Sequence, residues 1–114
     1  MHEISLIRNI FNTLEAEFPE RLGEIRTIYL TVGELSNVQP LLMQNAFSAV
    51  LETEPKYSHT KLEVSVLPII IYCEQCQIET LVHHYKFICK QCSKAQKKVI
   101  QGEELLISRV EFLN

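Results

Sequence analysis

The stretch Cys73-Glu74-Gln75-Cys76, separated by twelve residues from Cys89-Lys90-Gln91-Cys92, decides the fold of the carboxyl-terminal half and contains all four cysteines of the chain. Two residues between thiols allow both sulfurs of a pair to reach one ion from a tight turn, and two such turns can complete a tetrahedron of ligands. The spacing therefore predicts a zinc ribbon in which these four cysteines bind Zn(II). Because four thiolates leave no open coordination position, we expect this zinc to be structural.

The bulk properties indicate a small protein that needs help from a metal. A length of 114 residues with 46% hydrophobic residues fits one small domain with a lobe too small to fold alone. The amino end has no signal-peptide pattern, and no apolar run approaches the roughly 20 residues that span a membrane. We therefore expect a cytoplasmic protein, because a reducing compartment favours metal-bound thiolates over disulfides. The net charge of −3 argues against a general nucleic-acid binder.

Two amphipathic helices and three strands are predicted around this motif. Apolar residues at three- and four-residue steps predict helices over residues 3–18 and 40–54, the second with Pro40 in its first turn. Alternating patterns predict strands over residues 26–33, from residue 62 past Pro68, and over 105–112. The buried stripes of the two helices are predicted to be Ile4, Ile7, Ile10, Phe11, Leu14 and Phe18, and Leu42, Met43, Ala46, Phe47, Val50 and Leu51.

This order of elements predicts an α+β fold. About three strands form a mixed sheet covered by the two helices, and a zinc-ribbon lobe is inserted between two of the strands. The predicted division places residues 1–69 and 101–114 in the core and residues 70–100 in the zinc-binding ribbon. Gly102 and the region of Pro68 are the expected hinges, since such residues punctuate sheet edges and turns.

A second motif with metal-binding potential lies at Met1-His2-Glu3. The α-amino group of Met1 has an ordinary pKa of about 7.7–8.0, so it can lose a proton to a metal at neutral pH. This amine, the backbone amide of His2 and the His2 imidazole can form fused chelate rings in one plane. A planar nitrogen set suits Ni(II) or Cu(II) better than Zn(II), whereas the alternative is a solvated chain end without metal.

Four landmarks in this order make the sequence resemble the HypA/HybF family of nickel-insertion proteins. They are the Met1-His2-Glu3 start, Val32-Gly33-Glu34-Leu35-Ser36, the two cysteine pairs, and Gly102-Glu103-Glu104-Leu105. The resemblance covers nearly the whole chain. It implies a metallochaperone that receives Ni(II) and delivers it during maturation of [NiFe]-hydrogenase, and in some bacteria of urease.

The resemblance also implies sites and partners. Nickel is expected at His2, with the Met1 amine and Glu3 as neighbouring groups, and structural zinc at the four cysteines. The implied partners are a nickel-handling GTPase of hydrogenase maturation and the hydrogenase large subunit or urease accessory proteins, with no membrane contact. A homodimer stays open, as do the choice of client and the fourth nickel ligand, for which Gln39 or water are candidates.

The cysteine turns depart from the family pattern where glycine and proline are frequent. Gln77 follows Cys76, Lys90 follows Cys89, and Ser93 follows Cys92. A left-handed backbone conformation is cheap for glycine and strained for other residues, so we expect strained or altered turns here. The consequence for zinc affinity is open.

Alternative functions follow from the same lobe. Residues 81–101 contain five lysines and no acidic residue, which also fits a zinc-ribbon module for nucleic acid or for protein interaction. The simpler interpretation is that the lysines offset the negative charge of four thiolates around one zinc ion. A dithiol oxidoreductase is disfavoured because neither cysteine pair opens a predicted helix, and we expect no catalysis. His83 and His84 are candidates for exchange with a thiolate at the zinc, or else ordinary exposed residues.

Overall fold

The computed structural model describes residues 3–113 as two helices, six strands and three short 3-10 turns. The helices are α1 (Glu3–Glu17) and α2 (Pro40–Leu51). The strands are β1 (Ile25–Gly33), β2 (Lys61–Leu67), β3 (Ile70–Cys73), β4 (Ile78–Leu81), β5 (Val99–Gln101) and β6 (Leu105–Phe112). The chain divides into two compact units, one comprising residues through Thr31, Val38–Ser65 and those from Leu106, the other Val32–Asn37 and Val66–Leu105.

The first unit contains the two helices and most of a three-stranded sheet with the order β2-β1-β6. The amide of Leu113 donates to the carbonyl of Glu24 at 2.6 Å, so the end of β6 lies beside the start of β1 and these strands run antiparallel. The Thr60 hydroxyl donates to the carbonyl of Ile25 at 2.8 Å, so β1 and β2 start side by side and run parallel. The predicted α+β fold with a mixed three-stranded sheet is confirmed.

Helices α1 and α2 pack through their apolar faces. Phe11 lies between two aromatic neighbours, with ring centroids 5.8 Å from Phe47 and 4.1 Å from Tyr57. The buried helical residues are Leu6, Ile7, Ile10, Phe11 and Leu14 in α1, and Met43, Ala46, Phe47 and Val50 in α2. Both predicted stripes lie largely in this core. Ile4 and Leu42 are exceptions, at 46% and 41% exposed, because each lines an open surface groove between the two helices.

Two element boundaries differ from the sequence prediction. Strand β2 stops at Leu67 and β3 begins only at Ile70, because Pro68 has no N–H to contribute to a ladder. Helix α2 ends at Leu51, before the predicted residue 54. There the amide and the hydroxyl of Thr53 both donate to the carbonyl of Val50, at 3.0 and 2.9 Å, which replaces helical bonding with a turn.

The second unit contains an antiparallel sheet with the order β4-β3-β5. Its core is formed by Ile69, Ile71 and Val82, against which Leu35, Phe87 and Val99 pack. A six-residue apolar cluster is small for independent stability, so this unit fits the class of lobes that rely on a metal.

No helix within residues 3–113 combines the length and apolar character that crossing a bilayer requires.

Candidate metal centre

The first cysteine turn connects two paired strands of the second unit. Strand β3 ends at Cys73 and β4 begins at Ile78, and these two residues are cross-strand partners. The amide of Gln77 donates to the carbonyl of Cys73 at 2.7 Å, which closes the turn. The amide of Cys76 donates to the Cys73 sulfur at 3.4 Å. Such N–H···S bonds stabilise a thiolate and fix the direction of its lone pairs.

The second cysteine turn lies in a short hairpin and closes with the equivalent backbone bond. The amide of Ser93 donates to the carbonyl of Cys89 at 2.9 Å, and the amide of Gln91 donates to the Cys89 sulfur at 3.4 Å. An isolated bridge between Ile88 and Ala95 pairs the arms of the hairpin. The bond that closes each turn is therefore equivalent, whereas the N–H···S donor is Cys76 in the first turn and Gln91 in the second.

The backbone of both turns carries the strain that the sequence indicated. Gln77 has φ 57° and Ser93 has φ 62°, so the residue after the second cysteine of each pair is left-handed. Glycine would adopt this conformation without a Cβ penalty. Both turns therefore have the geometry that the cysteine spacing predicts, although Gln77 and Ser93 are strained in it.

The four sulfur atoms converge on one point. The Sγ atoms of Cys73, Cys76, Cys89 and Cys92 all lie within 4.8 Å of one another. The Cys73 and Cys92 sulfurs are 3.8 Å apart. A regular tetrahedron with Zn–S bonds of about 2.3 Å has sulfur separations of about 3.8 Å. The donor set and its spacing therefore fit a tetrahedral thiolate-bound ion such as Zn(II).

The thiols of the cluster differ in proton affinity. Burial raises the pKa of Cys76 to about 12, whereas the backbone N–H of Cys92 lowers the pKa of Cys89 to about 6. Burial disfavours an isolated thiolate, and a divalent cation between the sulfurs reverses this effect because it stabilises all four charges. Proton loss and metal binding are therefore linked in this cluster.

One contact in the cluster was not foreseen from the sequence. The hydroxyl of Thr80, a buried residue of β4, accepts the amide N–H of Lys90 at 3.2 Å. This bond attaches the second cysteine turn to the strand that follows the first. Strand β4 has only four residues, so the sequence predicts neither the burial of Thr80 nor this partner.

Of the three predicted nickel-site residues, the structure describes only Glu3. Met1 and His2 lie outside the described residues, whereas Glu3 is the first residue of α1 and is half-buried. Glu3 borders the open groove of about 490 Å³ between α1 and α2, together with Ile4, Ser5, Leu42, Asn45, Ala46 and Ala49. Assignment of nickel to Met1, His2 and Glu3 stays a prediction.

The histidines of the second unit lie in an exposed turn after β4. The amide of Lys86 donates to the carbonyl of His83 at 3.1 Å, and the two central residues, His84 and Tyr85, have φ 55° and 57°. Two successive left-handed residues are typical of a type I′ turn. Within residues 3–113, the four cysteines are the group of three or more His, Cys, Asp and Glu residues placed to hold an ion, and neither histidine belongs to it.

Comparison with known proteins gives one consistent family. Residues 1–112 match the family model described as hydrogenase/urease nickel incorporation, metallochaperone, HypA. The hydrogenase maturation factor HypA of Moorella thermoacetica is 30% identical over 112 residues, covering 97% of this chain and 98% of that protein.

Two solved structures share the fold. The solution structure of the Ni metallochaperone HypA from Helicobacter pylori has a TM-score of 0.65 at 20% identity, covering 99% of this chain and 98% of that one. A second HypA solution structure has a TM-score of 0.71 at 20% identity, covering 99% and 97%. At this level of identity, the two structures support the architecture of the chain.

Proposed function

Because the chain belongs to the HypA family of hydrogenase and urease nickel-incorporation metallochaperones, we propose that it binds Ni(II) at its amino terminus and delivers it during maturation of [NiFe]-hydrogenase. Urease is the second client that we propose. The observation that carries this proposal is the family match over residues 1–112, which includes the amino-terminal Met1-His2-Glu3.

We propose that the four cysteines hold a structural Zn(II). The support is the convergence of four sulfurs within 4.8 Å, with Cys73 and Cys89 only 2% and 1% exposed. Four thiolates fill the coordination of zinc and leave no position for exchange, so this site suits folding rather than delivery. Zinc supplies the cross-link that a lobe with a small apolar core needs, and the chain supplies the oriented N–H···S contacts.

The nickel site is proposed from the chemistry of the first residues. The Met1 amine, the His2 amide and the His2 imidazole can supply three nitrogen donors in one plane, which matches the preference of Ni(II) for tetragonal nitrogen sites. Glu3 is assigned a supporting role as a neighbouring carboxylate. An incomplete protein ligand set favours handover, because a ligand of the recipient can enter before the chaperone's ligands leave.

The proposed partners follow from this role. A nickel-handling GTPase, the hydrogenase large subunit and the urease accessory proteins are the candidates for exchange of the ion, and the cytoplasm is the proposed compartment. We assign no catalytic activity, since the sequence has no pattern of a phosphate-cradling glycine loop or of a Ser/His/Asp arrangement. Nickel is the cargo of this protein rather than a resident cofactor.

The test removes the free amine without changing any side chain. Two residues placed ahead of Met1 convert its amine into an amide, so we expect nickel affinity to fall at least ten-fold in isothermal titration with NiSO4. The matched control carries the same two residues after Asn114 and should bind nickel as the native chain does. Unchanged affinity in the amino-terminally extended protein contradicts the proposed chelate.

A further inference from the structure

The hairpin that holds the second cysteine pair has one inward and one outward face. The amide of Cys89 donates to the carbonyl of Lys94 at 3.0 Å, and the amide of Gln96 donates to the carbonyl of Phe87 at 2.9 Å. Along its first arm, Phe87 is half-buried and Cys89 is buried, whereas Lys86 and Ile88 are exposed. The alternation is the one that a strand with a single buried face shows.

The same register places two lysines opposite each other. Residue 87 pairs with 96 and residue 88 with 95, so extension of this register by one residue puts Lys86 level with Lys97 at the open end of the hairpin. Both lysines are exposed and share the face that carries Ile88 and Ala95. Like charges at neighbouring positions of a hairpin repel each other. We name the surface formed by Lys86, Ile88, Ala95 and Lys97 the hairpin face.

Neither lysine is neutralised by a carboxylate among the residues that the structure describes. Lys98 contacts Glu74 at 3.3 Å, and Lys94 donates to the Gln75 amide oxygen at 3.3 Å, so those two lysines are engaged with the first cysteine turn. Lys94 and Lys98 are therefore placed to offset the negative charge of the thiolates. This role explains Lys86 and Lys97 less well. The two lysines of the hairpin face therefore leave a positive surface that an external anion can neutralise.

The apolar part of the hairpin face indicates the class of that anion. Ile88 is 44% exposed between the two lysines, beside Ala95. Aliphatic side chains fit an apolar side chain of another protein, whereas single-stranded nucleic acid is typically bound by aromatic stacking platforms. Formal charge favours the same choice. The chain carries −3, and residues 80–101 contribute +5, so the remaining residues carry −8 and the positive charge is confined to a short stretch, which suits a short acidic segment better than a long polyanion.

We propose that the hairpin face is a docking surface for an acidic segment of a partner protein, with carboxylates on Lys86 and Lys97 and an aliphatic residue against Ile88. Opposite charge steers the partner to this lobe, since attraction at low ionic strength raises association rates. The hairpin face includes none of the nickel-binding residues proposed above, and the proposal for it does not depend on nickel binding.

The test uses two synthetic probes and the full zinc-loaded chain. The first probe is a peptide that alternates glutamate and leucine, and the second is a 20-nucleotide single-stranded DNA. In ¹⁵N NMR titrations we expect the peptide to shift the amides of the hairpin face, with an affinity that falls as salt is added. The double variant Lys86→Glu with Lys97→Glu should lose at least ten-fold in peptide affinity.

A matched control changes the same amount of charge elsewhere. Arg8→Glu with Lys61→Glu reverses two exposed cations of the first unit and should leave peptide affinity within two-fold of the native chain. Lys97→Glu alone creates an opposite-charge pair with Lys86, so it should weaken peptide binding without loosening the hairpin or releasing zinc. This variant separates lost binding from lost folding.

Three outcomes overturn the proposal. Peptide shifts outside the hairpin face, equal peptide affinity in both double variants, or tighter binding of the DNA than of the peptide to the hairpin face would each do so. Nickel titration of the same variants keeps the two proposals apart, because the hairpin variants should bind nickel as the native chain does.

Discussion

At the scale of single residues, two kinds of position are the most informative. At some positions the backbone requires glycine and glycine is present, and at others the backbone favours glycine but a different residue is present. Gly33 and Gly102 approach so closely that a Cβ on Gly33 would lie 2.0 Å from the carbonyl carbon of Gly102, and Gly102 has φ 124°. The sequence indicated a strand end and a hinge at these glycines. Their mutual contact depends on chain segments about seventy residues apart, which no local pattern reveals.

The left-handed residues of the cysteine turns give a prediction at this scale. We expect Gln77→Gly and Ser93→Gly each to stabilise the zinc-bound second unit by about 1 kcal/mol, because relief of left-handed strain exceeds the entropy that glycine adds to the unfolded chain. The measurement is the rate of zinc release to a chromogenic chelator, which should slow in both variants.

A glycine control separates strain from flexibility. Gln91 lies in the second turn without a positive φ, so Gln91→Gly adds only unfolded-state entropy and should speed zinc release. If all three glycine variants behave alike, backbone strain does not limit the stability of these turns.

At the scale of elements, the long segments were predictable and the short ones were not. Apolar residues recur every three to four residues in α1 and α2 and every second residue in β1 and β6. The predicted bounds of these four elements agree with the structure to within a few residues. Strands β3, β4 and β5 have four, four and three residues. Such short segments are too brief to display a period, and their pairing is set by the cysteine turns between them.

A contact between α1 and the turn at Pro55–Tyr57 gives a pH prediction. The buried Tyr57 hydroxyl donates to Glu15 at 3.0 Å, and Lys56 pairs with the same carboxylate oxygen at 3.2 Å. The hydrogen bond from Tyr57, followed by that from Lys56, lowers the pKa of Glu15. The folded state therefore binds a proton at Glu15 less readily than the unfolded state.

The direction in which stability changes with pH follows from that difference in proton affinity. Because the pKa of Glu15 is lower in the folded state, the ionised carboxylate stabilises the fold at pH values above its pKa in the unfolded state. This contribution is lost as the pH falls through the pKa of Glu15 in the folded state. We expect the native chain to have a higher melting temperature than Glu15→Gln at pH 6, and the difference to shrink toward zero as pH falls below 4. Acid release of zinc affects both proteins alike, so the difference isolates Glu15. A difference that is constant with pH contradicts this assignment.

At the scale of the whole molecule, the cysteine spacing and the amino-terminal motif together predicted more than either did alone. The four-cysteine cluster and the α+β architecture could be predicted because cysteine spacing and hydrophobic periods are local properties of the chain. The opposed lysines of the hairpin face could not, since their register depends on how the second cysteine turn closes. The boundary between a nickel-binding core and a zinc ribbon stays a proposal.

Two metals are proposed at two different sets of residues, with zinc fixed at the cysteines and nickel exchangeable at the amino end. Metal analysis of untagged protein, purified with and without added nickel, tests this assignment most directly. We predict one zinc per chain in both preparations and one nickel only where nickel was supplied. His2→Ala should lose the nickel and keep the zinc, whereas Cys73→Ala should lose the zinc. Nickel retained by His2→Ala, or displaced onto the cysteines in place of zinc, would contradict the account.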